Sequence, residues 1–151
     1  MRVGRPLCFP AQVVVTSRFP AGGEERLAYV CKIDMNLYRC IAENICEDEV
    51  IITDKQVEHI RKRHGSDYDQ YARHLAAALR QPDYILRDKR PNTAIILKEV
   101  ETGLKLVLRL KTTSDREEYK NSIITFQKVE KKRYLRYTRN ADILYKREGL
   151  R

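Results

Sequence analysis

The sequence predicts an α+β fold: two helices packed on a four-stranded antiparallel sheet, preceded by an additional β-rich N-terminal segment. Three observations predict it. The hydrophobic period changes from 3.6 to 2 beyond Pro82. Cap signals bracket two helical runs before that point. Beyond it, Leu104–Lys111 alternates strictly, with Leu104, Leu106, Leu108 and Leu110 on one face and Lys105, Val107, Arg109 and Lys111 on the other.

Each element has its own warrant. Gln12–Thr16 and Leu27–Ile33 are short β-like runs separated by Pro20-Ala-Gly-Gly, and Asn36–Ala42 is a weaker one. These form an N-terminal extension, residues 1–46, ahead of a main domain at 47–151; whether its strands join the main sheet is open at this point. Thr53-Asp-Lys-Gln56 matches a capping box, with Ile52 and Val57 positioned as its hydrophobic staple. The helix it opens carries the stripe Val57, Ile60, His64 and stops at Gly65, a residue suited to a left-handed terminus. Ser66 opens a second helix, striped by Tyr68, Tyr71, Ala72, Leu75, Ala76 and Leu79 and ended by Pro82. Tyr84–Arg87, Thr93–Val100 and Leu104–Lys111 read as strands. So does Asn121–Gln127, with Ile124 and Phe126 on one face and Asn121, Thr125 and Gln127 on the other; Ile123 breaks the polar face. A basic amphipathic segment, Glu130–Arg139, and a short strand, Ile143–Lys146, follow.

At 151 residues with 42% hydrophobic side chains, the chain is long enough to bury a core and too apolar for a disordered one. No run of about 18 apolar residues is present, so no membrane span is expected. Cys8, Cys31, Cys40 and Cys46 form no CxxC pair and read as reduced cysteines of a cytoplasmic protein. His59 and His64 sit five apart, about 140° around a helix, not at the i, i+4 spacing of a zinc pair. No metal or other cofactor is expected.

The net charge of +9 is unevenly distributed. Residues 1–104 carry 16 basic and 15 acidic side chains, whereas residues 105–151 carry 14 and 6. The excess therefore belongs to the last third and suits one face built for a polyanion. If the Leu104–Lys111 and Asn121–Gln127 strands pair, Arg109, Lys111 and Thr125 share the face away from the core. Lys105 and the basic segment add Lys131, Lys132, Arg133, Arg136 and Arg139, with Tyr134, Tyr137 and Tyr145 interleaved as they would be for stacking on bases. His64 ends a buried stripe at a helix C-terminus, where the dipole is expected to raise its pKa toward neutrality. Plain alternatives cover the same residues: a solvated basic face, a core histidine, and a helix-turn-helix formed by the two capped helices.

The segments "VIITDKQVEHIRKRHG" (Val50–Gly65), "QPDYILRDKRPNTAIILKE" (Gln81–Glu99), "LKLVLRLKT" (Leu104–Thr112), "YKNSIITFQKV" (Tyr119–Val129) and "LRYTRNADILYKRE" (Leu135–Glu148) resemble the phage and mobile-element branch of the barnase, EndoU, E-type colicin and RelE-like nucleases. The resemblance implies a metal-independent ribonuclease in which the ribose 2′-OH attacks the adjacent phosphate, leaving a 2′,3′-cyclic phosphate. It maps the catalytic histidine to His64, the basic strand residues to Arg109 and Lys111, and the hydroxyls to Ser122 and Thr125. Strand parity aims Thr125 at the cationic surface and Ser122 at the core. Relatives that use two histidines, or a histidine and a glutamate, leave a gap here. Glu58 and His59 lie off the His64 face of their helix, and Lys111 is the remaining candidate partner. The class implies RNA as substrate, with an immunity protein, antitoxin or phage structural protein as a further partner. A non-catalytic nucleic-acid-binding module and an inactive nuclease-fold structural protein are the competing readings.

Overall fold

A computed structural model describes residues 14–18, 24–140 and 142–149; Cys8 and the Pro20–Gly23 break lie outside them. In chain order the elements are β1 (Val14–Arg18), β2 (Glu24–Lys32), α1 (Met35–Tyr38), β3 (Glu49–Thr53), α2 (Asp54–His64), α3 (Asp67–Tyr71) and α4 (Leu75–Arg80). There follow β4 (Tyr84–Arg87), β5 (Thr93–Glu99), β6 (Gly103–Arg109), β7 (Asn121–Val129), α5 (Lys131–Asn140) and β8 (Ile143–Lys146). The architecture is mixed α+β, but the sheet is wider than the expected four strands. Eight strands join in the order β1-β2-β3-β7-β6-β5-β4-β8. The N-terminal strands are part of it, since β2 pairs antiparallel with β3. Among the described residues no helix is long and apolar enough to cross a membrane.

The join between the two halves of the sheet is short. β3 and β7 run parallel and pair only at Val50↔Asn121 and Ile51↔Ser122. Asn121 secures that join from a fully buried position. Its amide donates to the Glu47 and Glu49 carbonyls at 2.6 and 2.9 Å, and its oxygen accepts from the Lys111 backbone N–H at 2.7 Å. Beyond Ile51 and Ser122 the strands separate. α2 begins there and packs along β7 with its buried Ile60.

Two corrections concern helices. Asn36–Ala42 does not extend as a strand: Asp34 accepts from the Asn36 N–H and caps the short α1, whose buried Tyr38 hydroxyl donates to the Leu79 carbonyl at 2.6 Å. The single helix expected over 67–81 is divided by a 3₁₀ turn at Ala72–His74. The tighter turn shifts the helical phase, so Tyr68 and Tyr71 as well as Leu75, Ala78 and Leu79 all reach the core. A five-residue α3 with both tyrosines buried offers no recognition helix, which removes the helix-turn-helix reading.

Leu104, Leu106, Leu108 and Leu110 are all fully buried under the helices, as the alternation predicts. β7 departs from simple parity. Thr125 faces Val107 and Ile123 faces Leu108, so Ile124 is the extra residue of a β-bulge. The bulge turns both Ile123 and Phe126 inward, where each is fully buried. It also returns Ser122 to the outer face, opposite Arg109, which corrects its expected core orientation.

The outer face is not wholly open. α5 lies on it through Tyr134, packed with Tyr84, Leu86, Leu97 and Val129. Gly103 permits this approach: a Cβ there would fall 2.7 Å from both the Tyr134 ring and the Val129 carbonyl. At the far edge the buried Asp83 accepts from Arg147 at 2.9 Å and from the Glu99 N–H at 2.8 Å, pinning the segment after β8. Asn121→Ala should lower the unfolding free energy by at least about 2 kcal/mol, because buried backbone groups lose their partner. Urea denaturation followed by circular dichroism measures this, and an unchanged midpoint would refute it.

Candidate active site

Two adjoining cavities open where β3 and β7 part. The first, about 420 Å³, is lined among others by Leu27, Ile51, Arg109, Lys111, Asp115 and Ser122. The second, about 520 Å³, is lined by Lys55, Gln56, His59, Arg63, His64, Arg90, Ile124 and Thr125. Lys55 and Gln56, from the first turn of α2, line both. The Thr53 hydroxyl accepts from the Gln56 N–H at 3.2 Å, so the capping box fixes the helix start at this junction. The expected reciprocal bond is not formed: the Gln56 side chain faces the cavities instead.

His64 and Thr125, assigned together from the sequence, do meet in one cavity. Gly65, with φ +57°, ends α2 just beyond His64, and Asp67 accepts from the Lys128 N–H at 3.1 Å, tying the following turn to β7. His64 does not titrate as expected. Burial is the largest cause, and together with the charges of Arg63, His59 and Lys105 it outweighs Asp67 and holds the imidazole below its ordinary 6.5. The dipole argument failed because the cavity collects cations around a partly desolvated ring. His64 is therefore mostly neutral at pH 7, the form that accepts a proton. The Thr125 hydroxyl is buried and has no hydrogen-bond partner among the described residues; an orphaned polar atom of this kind is unusual outside functional sites.

Sequence reasoning missed several residues of this cavity. His59, set aside because it lies about 140° from His64 around the helix, lines the same space, since the cavity wraps around the exposed side of α2. Arg63, Lys55 and Arg90, assigned no role from the sequence, line it as well. The signal that could have found them is the density of cations on one helix, Lys55 to Arg63, opposite a hydroxyl-bearing strand.

Arg109, Lys111 and Ser122 gather in the other cavity, and its cations other than Lys55 are engaged. Arg109 forms a two-pronged pair with Asp115 at 2.9 and 3.2 Å. Burial opposes charge on Asp115, but hydrogen bonds from Arg109 and Thr112 hold its carboxyl below the usual range. The Lys111 ammonium donates to the Glu117 carbonyl at 2.8 Å, and Lys120 pairs with Glu49 at 2.8 Å.

The basic helix divides similarly. Lys131, Lys132, Arg133, Arg136 and Arg139 are exposed on α5. Lys105 donates to the Tyr137 hydroxyl at 3.0 Å. Burial works against ionisation of Tyr137, yet Lys105 and Arg133 hold its pKa below the ordinary phenol value. Tyr134 is buried against the sheet and is not available for stacking. Tyr145 packs with the helix-covered core, because its partner Ile85 faces inward, and so lies apart from the α5 surface.

The family model described as phage-Barnase-EndoU-ColicinE5/D-RelE like nuclease2 (PBECR2) matches residues 33–146. The chain belongs to this nuclease family. No curated protein and no solved structure is matched. In this PBECR2 chain the match takes in both walls of the His64 cavity, while β2 lies before its first residue.

The Asp115 pair yields a test. A carboxyl held below its unfolded pKa adds stability that is present above the unfolded value and lost as pH falls through the folded one. Asp115→Asn should thus reduce stability at neutral pH and flatten its decline in acid, read from thermal unfolding across a pH series. Parallel acid profiles for the two proteins would refute the coupling.

Proposed function

We propose that the protein is a metal-independent endoribonuclease that cleaves RNA through attack of a ribose 2′-OH on the adjacent phosphate. The observation that carries this reading is a single cavity lined by a neutral-biased His64, a second histidine, several cations and Thr125, whose buried hydroxyl lacks a partner, with no carboxylate among the described lining residues. A phosphodiester suits that environment. In this scheme His64 takes the proton of the 2′-OH as its oxygen attacks phosphorus. The bond to the 5′-oxygen breaks, and His59 supplies the proton to that leaving group. The products are a 2′,3′-cyclic phosphate and a free 5′-hydroxyl.

Arg63 and Lys55 offset the charge that develops on the phosphorane. Thr125 reaches a phosphate oxygen by rotating about χ1, which exchanges its hydroxyl with its methyl group. The exposed cations of α5 draw in the strand electrostatically, sequence-independently and with a strong salt dependence.

The test is incubation of labelled RNA with the full chain in EDTA, with product ends identified as cyclic phosphates. His64→Ala and His59→Ala should each lower the rate by ~10²–10⁴. Because the His64 pKa lies below 6.5, its base form persists into mildly acidic solution, and the acid limb of the rate profile should fall only below that value. RNA left intact by the wild type, or cleavage unaffected by His64→Ala, would overturn the assignment.

A further inference from the structure

The 420 Å³ cavity beside the His64 pocket has no role in the reaction just described. We propose that it is a nucleobase subsite, receiving one unpaired base of the RNA strand whose phosphate occupies the His64 pocket. The identity of the strand rests on the ribonuclease reading; the preference for a base rests on the cavity's own chemistry.

Its cations other than Lys55 are engaged within the protein. Arg109 is held in a fork by Asp115, Lys120 by Glu49 and Glu47, and Lys111 by a backbone carbonyl. A phosphate entering here would have to displace a carboxylate from Arg109 and Lys120 and a carbonyl from Lys111. The neighbouring cavity differs: Arg90 is held by Asp88 at 2.8 Å, but Lys55 and Arg63 make no ion pair among the described residues, and none of the described residues lining it is an acid. One space therefore suits an anion and the other an uncharged group.

The floor explains which uncharged group. Leu27 of β2 and Ile51 of β3 are buried apolar side chains on the outer sheet face, and Tyr119 adds an aromatic side chain to the lining. Around this apolar surface stand the Gln56 amide, the Ser122 hydroxyl and the Glu118 carboxylate, which together offer donors and acceptors. A flat ring with hydrogen-bonding edges matches that combination, as in recognition of splayed single-stranded bases. A volume of this size accommodates one ring system.

The placement is that of one nucleotide. Across the bulge, Ser122 in this cavity and Thr125 in the next lie opposite Arg109 and Val107, two positions apart on β6 and about 7 Å of strand, and Gln56 borders both. Leu27 precedes the segment matched by the family model, so this floor is built partly by a strand outside it. The N-terminal strand thereby acquires a function: it closes a specificity pocket.

The experiment is a methyl- and amide-resolved NMR titration of the full chain with adenosine, guanosine, cytidine and uridine separately, and with inorganic phosphate. At least one nucleoside should shift the Leu27 and Ile51 methyls, with an affinity changing less than about twofold between low and high salt. Phosphate should shift His64 and Thr125 and weaken steeply as salt rises. Ser122→Leu, which fills the cavity, should weaken the nucleoside at least ~tenfold; Ile51→Ala, which removes the floor, should do the same, and the wild-type map stands without either variant. Failure of all four nucleosides to shift Leu27 and Ile51, or phosphate shifting Ile51 in place of Thr125, would overturn the subsite. Shifts at Leu27 and Ile51 in a protein that leaves RNA intact would support the subsite while removing the ribonuclease reading. Cleavage without those shifts would remove the subsite alone.

Discussion

The arrangement of this molecule depends on one buried amide. Asn121 closes the short parallel contact between β3 and β7 by bonding to the Glu47 and Glu49 carbonyls and to the Lys111 N–H. Without it, two sheet halves would meet through a single pair of rungs. With it, they are held at one point and free to diverge beyond it. That divergence gives α2 its place, and the first turn of α2 separates the two cavities. An apolar residue at 121 could not perform this function, because it would leave the Glu47 and Glu49 carbonyls and the Lys111 N–H without the partner that joins them to β7.

The second organising feature is the segregation of charge. The excess of cations in the last third first suggested one continuous binding surface. The folded chain distributes those cations differently. Arg109, Lys111 and Lys120 are engaged by neighbouring acids and carbonyls, whereas Lys55 and Arg63 of α2, from the nearly neutral first two-thirds, make no ion pair among the described residues. Net charge along the sequence and potential at the cavity are thus different quantities. Pairing of Arg109 and Lys111 depends on the loop between β6 and β7, whose Asp115 carboxylate and Glu117 backbone carbonyl lie close in sequence to the cations they hold.

Legibility followed the range of the interaction. Local signals were readable: the Thr53 cap, the Gly65 terminus and the inward leucines of β6 all formed where the residues indicate. The meeting of His64 and Thr125 was readable too, because each is set by a local rule and the segments were recognisable together. What parity could not reveal was the bulge at Ile124, whose only trace was an apolar residue on a face expected to be polar. Hidden as well were the attachment of β2 and β3 to β7, which joins residues about seventy positions apart, and the covering of the outer face by α5. These depend on surfaces that exist only once the chain has folded. The same holds for the His64 pKa, where a local dipole lost to burial and neighbouring charges.

The order of the strands has a consequence during synthesis. β7 sits between β3 and β6 in the sheet but emerges from the ribosome after both. Until it does, α2 has only β2 and β3 of the sheet to pack against, His64 has no Thr125 opposite it, and the edges of β3 and β6 that it will join are apart. Every group in the candidate active site is brought together by the insertion of that one late strand. The nascent chain therefore carries the side chains of a nuclease while lacking its cavity, and it passes most of its translation beside messenger and transfer RNA in that incomplete state.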